Sequence, residues 1–297
     1  NGTLAADEAA GKYTFTNADS TVKALKAGDV IAYENGEAVF DCKTGVLTAY
    51  KGSSAEVTIP GNVHKIGDNV FENNTTLRKV IIHDKVEEIG GYAFRGCTAL
   101  EEIKFPDSIK KLGTWAFRGC TSLTELVLPP QLRHITDCLF ADCSALTSVE
   151  FPDLLTEIGA FAFSGCKSLK AIDIPKYVAQ IGKYAFSGCE QIERVIIPDG
   201  VSLIEECTFA NCTALAAVGL PKTIKSLGAS SFQNCTSLRS IEIPGGVLSV
   251  DGFRGTVWSI GIVSTQIADV GGNIRIMNNS DIRVLTNLSD VSSVAVS

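Results

Sequence analysis

The chain repeats itself every 23 residues, and that period restricts what it can fold into more than any other feature. The stretch "YAFRGCTAL" at Tyr92–Leu100 returns as "WAFRGCTSL" at Trp115–Leu123. Phenylalanine recurs at Phe71, Phe94, Phe117, Phe140, Phe163, Phe186, Phe209 and Phe232. Cysteine keeps the same step at Cys97, Cys120, Cys143, Cys166, Cys189, Cys212 and Cys235. Proline recurs from Pro60 and Pro106 to Pro244, with His83 in the one gap, and an apolar residue recurs from Leu77 to Leu238. Residue types held in register over eight periods with no insertion are the mark of stacked structural repeats.

The repeat reads L-x-x-V-x-I-P-x-x-V-x-x-I-G-x-x-A-F-x-x-C. The alternating V-x-I predicts a short strand with those two residues inward. Proline ends it, because it cannot donate to a ladder. V-x-x-I predicts a second short extended piece. The glycine after it (Gly67, Gly90, Gly113, Gly159, Gly182, Gly228) is expected to supply positive φ. A-F-x-x-C fits one helical turn, with Phe and Cys three apart on one side. One such unit cannot bury its own apolar face, so neighbours must cover each other. At about 4.8 Å per rung, eight rungs make a rod on the order of 40 Å long.

Composition agrees with a packed chain: 45% apolar and 20% charged. The formal charge of −7 lacks the basic footprint of a nucleic-acid or anionic-membrane binder. No run of 18 apolar residues predicts a membrane-spanning helix. A start at Asn1 fits a chain from which a targeting segment has been removed, or one trimmed at that end.

Nothing in the pattern announces a reaction. Zinc sites place ligands two to four apart within a loop, and no cysteine pair does so. Seven cysteines on one repeat position are expected to be small buried hydrophobes beside Phe. Asn74 replaces the first of them without loss of register, because an amide there can bond the backbone of the turn. Cys42, Cys138 and Cys207 lie off the column, and free thiols are expected. His64, His83 and His134 fall at different phases with no partner pattern, and read as surface residues. No cofactor is implied.

Two outward columns are candidate binding surfaces. Residues flanking the inward Val of each strand point to solvent. Among them Glu102, Lys104, Glu125, Glu150, Asp173 and Arg194 give the middle rungs an acidic tint. A second row lies two residues before each Phe and carries Tyr92, Trp115, Phe161 and Tyr184. It is either a contact stripe or a set of rings that cover the neighbouring rung.

The run "IPKYVAQIGKYAFSGCEQIERVIIP" (Ile174–Pro198) and its neighbours resemble leucine-rich repeats of the BspA-like class of bacterial surface proteins, over about Val57 to Val250. The resemblance implies an α/β leucine-rich-repeat solenoid, mostly short strands and turns with one short helical turn per repeat and a β-rich cap at each end. Proline after the strand and the short return predict a slimmer, flatter solenoid than the usual horseshoe. The expected division is a cap over 1–56, about eight repeats over 57–250 and a cap over 251–297. "NGEAVFDCKTGVLTAYKG" reads as a hairpin into the first rung, "NIRIMNNSDIRVL" as two strands, and "VSSVAV" as another. The implied function is secreted or cell-surface adhesion without catalysis, toward host or bacterial surface proteins, extracellular-matrix proteins or glycans. A passive spacer is the alternative, and a hydrolase built on Asp269, Asp281 or Asp290 is a weaker one.

Overall fold

The computed structural model describes backbone and side chains over 45–59, 61, 63–238, 241, 243 and 244. It describes the backbone alone of Thr3–Asp7, Lys12–Thr16, Val22–Leu25, Val30–Tyr33, Gly36–Asp41, Ser249–Val250, Ile260–Gly261, Ile274–Asn278 and the rest of Ser240–Ile243. Cys42, Asp269, Asp281, Asp290, "VSSVAV" and the second strand of "NIRIMNNSDIRVL" lie outside the described residues.

Rungs are hydrogen-bonded to one another on three sides, the Phe turns joining every neighbouring pair and the two strand ladders running in blocks. The V-x-I segments form the first side. Glu56–Thr58, Lys79–Ile81 and Glu102–Lys104 pair in parallel, as do Glu125–Val127 with Ser148–Glu150 and Arg194–Ile196 with Ala217–Gly219. Their register is the sequence period itself: Val80 faces Ile103, and Leu126 faces Val149. The rung at 171–173 carries no strand, although Ile172 is buried. The second side is the short segment ending in Ile-Gly. Lys65–Ile66, Glu88–Ile89 and Lys111–Leu112 pair in parallel, and the pattern resumes from His134–Ile135 to Gln180–Ile181 and from Leu203–Ile204 to Ser249–Val250. The hairpin of Gly36–Asp41 and Val46–Tyr50 feeds this ladder, with Val46–Tyr50 parallel to Lys65–Ile66. At the far end Ile274–Asn278 lies antiparallel on Ser240–Ile243.

The third side corrects an expectation. No helix occurs among the described residues, and the A-F-x-x-C segment is a run of tight turns. Two positions per rung take left-handed backbone. One lies two residues before Phe, as at Tyr92 (φ 58°), Trp115 (φ 65°) and Phe161 (φ 57°). The other lies two after it, as at Gly96 (φ 71°), Asp142 (φ 62°) and Asn211 (φ 61°). Positive φ breaks the helical path, so the N–H groups bond across rungs. Phe71 N donates to the Ala93 carbonyl (2.8 Å), Phe140 N to Ala162 (2.8 Å) and Phe209 N to Ser231 (2.8 Å). The glycine after Ile has a different role from the one expected. It is absent from the positive-φ positions and serves close approach instead: a Cβ at Gly67 would sit 2.8 Å from the Leu47 carbonyl oxygen.

The core is a continuous column. All eight repeat phenylalanines are at most 1% exposed. Their rings stack from Phe71 to Phe232 with centroids 5.0–5.7 Å apart and interplanar angles of 2–20°. Tyr50 closes one end against Phe71 at 5.0 Å. Phe105 and Phe151 meet Phe117 and Phe163 edge-on. Beside this column runs the cysteine column, fully buried.

Candidate protein-interaction surface

Because side chains alternate along a strand, each three-residue strand sends its central residue inward and turns the two flanking it outward. The inward residues join the core. The outward ones form two columns along the solenoid. Glu125, Lys104, Glu150, Asp173 and Arg194 are exposed there and Glu102 half-buried. Shallow depressions separate the rungs on this face. One of 510 Å³ is lined by Glu102, Lys104, Phe105, Glu125 and Val127. The next, of 630 Å³, holds Glu125, Glu150, Asp153 and Asp173. A third, of 430 Å³, holds Asp173, Lys176, Arg194 and Ile196. The strand-face residues singled out in the sequence therefore lie along one run of surface. Asp153, Lys176, Val127 and Ile196 line it too and were not singled out. The signal was available, since an aliphatic residue at an outward strand position has no reason in the core.

Glu102 is tied by Lys104 (3.2 Å) and Lys79 (3.7 Å), which hold its carboxyl below the usual range. Such pairing between neighbouring rungs recurs away from the strand face. Arg78 meets Glu101 at 2.6 Å, Lys110 meets Glu87 at 3.0 Å, and Glu88 bridges Lys65 and Lys111.

The aromatic row is organised differently. Tyr92 stacks on Trp115 (5.9 Å, 17°) and Phe161 on Tyr184 (4.6 Å, 3°). Arg95 lies over Tyr92 at 5.2 Å and Arg118 over Trp115 at 4.5 Å. Arg118 reaches on to Asp142 in the next rung (2.9 Å), beside Cys138, which takes the place of a ring. Tyr184 donates to Glu206 at 3.4 Å, and the neighbouring Cys207 thiol, followed by Glu206, pushes its phenol up to about 12. Each ring stacks on its partner, arginine lies over Tyr92 and Trp115, and Phe161 stays 39% exposed.

The cysteines are structural in geometry. Each column thiol donates to the carbonyl of the Phe 26 residues earlier, from Cys97 to Phe71 (3.0 Å) through Cys143 to Phe117 (3.2 Å) to Cys235 to Phe209 (3.1 Å). Asn74 does the equivalent work with an amide. Its Nδ2 donates to Gly52 O (3.3 Å), and its Oδ1 accepts from the N–H of Thr76 and Leu77. Burial pushes Cys97, Cys143 and Cys235 up to about 12, and Cys120, Cys166, Cys189 and Cys212 well above the ordinary value. The nine described cysteines are all free thiols. His64 and His134 are exposed, His134 paired with Glu157 at 3.1 Å, and half-buried His83 accepts from the Lys85 N–H. No group of three His, Cys, Asp or Glu among the described residues could hold a metal ion. No helix among them is long and apolar enough to cross a membrane.

Comparison with known proteins points the same way as the repeat geometry. A leucine-rich cell-surface protein of Faecalibacterium prausnitzii superposes with a TM-score of 0.52 at 24% identity, covering 78% of this chain and 81% of its own. A leucine-rich-repeat protein of T. pallidum is 25% identical with a TM-score of 0.49, covering 71% of this chain and 91% of that one. No curated protein matches. The model of the BspA type leucine rich repeat region matches residues 48–158 and 133–253, in six copies. Since that span takes in every rung described above, the chain belongs to the BspA-type leucine-rich-repeat family.

Proposed function

We propose that the chain is a secreted or cell-surface interaction module that works by adhesion and not by catalysis, with its strand face as the binding surface. The partners we infer are host or bacterial surface proteins, matrix proteins or glycans. One observation carries this reading: consecutive rungs present outward side chains and linked depressions on a face that no other described residue covers. A surface built on rungs that the Phe turns bond one to the next is ordered before binding, so little entropy remains to be lost there. The aromatic row is less suited, because its rings stack on one another and on Arg95 and Arg118. The absence of catalysis is supported by the column thiols, which burial holds protonated when a nucleophile must be a thiolate. 

The histidines stand in separate rungs, His134 paired with Glu157 on the surface and His83 with the Lys85 backbone N–H.

The test is interferometry of the purified chain against a panel of matrix proteins, bacterial surface proteins and glycans. A variant with Glu102, Glu125, Glu150 and Asp173 changed to Ser is run beside it. Binding that this variant loses supports the strand face. Binding that it keeps, and that Trp115→Ser loses, moves the site to the aromatic row. No binding to any surface favours a spacer.

A further inference from the structure

On the strand face the protein displays Val127 at 65% and Ile196 at 63% exposure, the two most exposed large hydrophobic side chains among the described residues. Both occupy the second outward position of their rung, three rungs apart. Glu150 and Asp173 occupy the same position in the two rungs between, and Val127 and Glu150 are direct partners in the ladder. The column thus reads aliphatic, acid, acid, aliphatic. The 630 Å³ depression beside it takes in Val127, Glu150 and Asp173 together with Glu125 and Asp153, and no basic residue lines it. Asp173 is shared with the 430 Å³ depression that contains Ile196, where Arg194 and Lys176 also stand.

The acids of this column lack the inter-rung cations that several acids elsewhere have. Glu88, Glu101, Glu190 and Glu206 each meet a cation one rung away. Glu125, Glu150, Asp153 and Asp173 have no ion pair among the described residues. Like charges on adjacent rungs are unfavourable, and exposed aliphatic side chains beside them gain nothing from water. A single kind of occupant answers both: a cation flanked by apolar groups.

Resting on the strand face as the binding surface, we propose that it takes an extended segment of a protein partner with the pattern aliphatic–x–Arg–x–aliphatic, lying along the solenoid axis. Three rung steps span about 14 Å. Four residues of extended chain span about 13 Å, and residues i, i+2 and i+4 share one side. The two aliphatic side chains then meet Val127 and Ile196, and the guanidinium between them reaches both Glu150 and Asp173, whose rungs are about 5 Å apart. Lysine fits the charge but not the two-pronged geometry.

The experiment is methyl NMR of the full chain titrated with the end-capped peptide GVSRSVG, with GVSESVG and a scrambled peptide as controls. The expected result is saturable shifts of the Val127 and Ile196 methyls that GVSESVG does not produce. Affinity should fall about fivefold or more in the Glu150→Gln, Asp173→Asn double variant. These are exposed positions, and an unchanged melting temperature confirms that the variant is folded. No shift at millimolar peptide, equal shifts with either control, or shifts confined to other methyls overturns the proposal. If the four-carboxylate variant loses its panel partner while GVSRSVG gives no shift, this inference fails and the strand-face reading stands. If that variant keeps its partner, both fail.

Discussion

At the scale of single residues the cysteine column ties stability to alkaline pH. Each thiol is buried against a Phe carbonyl of the preceding rung, and burial raises Cys97 from 9.0 to about 12. A raised folded-state pKa means that the native chain keeps a proton which the unfolded chain releases. The stabilisation is complete below about pH 9 and is lost as pH climbs toward 12. Each thiol contributes a slope of about 1.4 kcal/mol per pH unit in that window. Urea midpoints measured between pH 8 and 11 should therefore fall steeply above pH 9, with a smaller slope once Cys143 and Cys166 are replaced by Ala. A second residue-scale expectation concerns Gly119, at φ 74°, where an added Cβ would meet nothing nearer than Gly96 Cα at 3.8 Å. With space available, only backbone strain remains. Gly119→Ala should cost about 1–2 kcal/mol, and Gly119→Asn less, in chemical denaturation.

At the scale of the rung, the phenylalanine column is the element on which neighbours depend. Phe140 is fully buried between Phe117 and Phe163. Phe140→Ala should lower stability by about 3–5 kcal/mol, whereas exposed Val127→Ser should move it by no more than about 0.5 kcal/mol, both read from urea unfolding curves. The inward columns were legible in the sequence because burial imposes one residue type per position at a fixed step. The turn was not. A Phe and a Cys three apart suit a helical turn and a pair of tight turns equally well, so A-F-x-x-C alone does not separate the two. The distinguishing signal stood two residues past Phe. There Asn73, Gly96, Gly119, Asp142, Gly165, Gly188, Asn211 and Asn234 draw only on the three residue types that best tolerate left-handed backbone. The row before Phe hides the same conformation, because Tyr92, Trp115, Phe161 and Tyr184 are poor formers of it; Cys138 and Cys207 adopt it without a ring, and what these positions share is a backbone N–H bonded to the next rung. On the strand face, the outward direction of Glu150 and Asp173 followed from alternation. That they lie in one depression with Asp153 did not, because Asp153 belongs to the turn after proline.

Across the whole molecule, contacts reach one rung in each direction and little further. Removing one complete 23-residue rung, such as residues 160–182, should leave a folded, cooperatively melting protein, because the faces it exposes match. Removing eleven residues from the same place should unfold it, since Phe would then meet a strand position. Circular dichroism on the two deletions separates these outcomes. The same contact pattern decides how the protein answers to force. The ladder bonds of both strand sides, and those of the Phe turns, run along the solenoid axis, so a pull on the two ends loads them one rung at a time, as a zip is opened. Each rung released would pay out about 75–80 Å of chain. A cell held to a surface through such a protein would be on a tether that lengthens in equal steps under flow and takes up its slack when the flow drops.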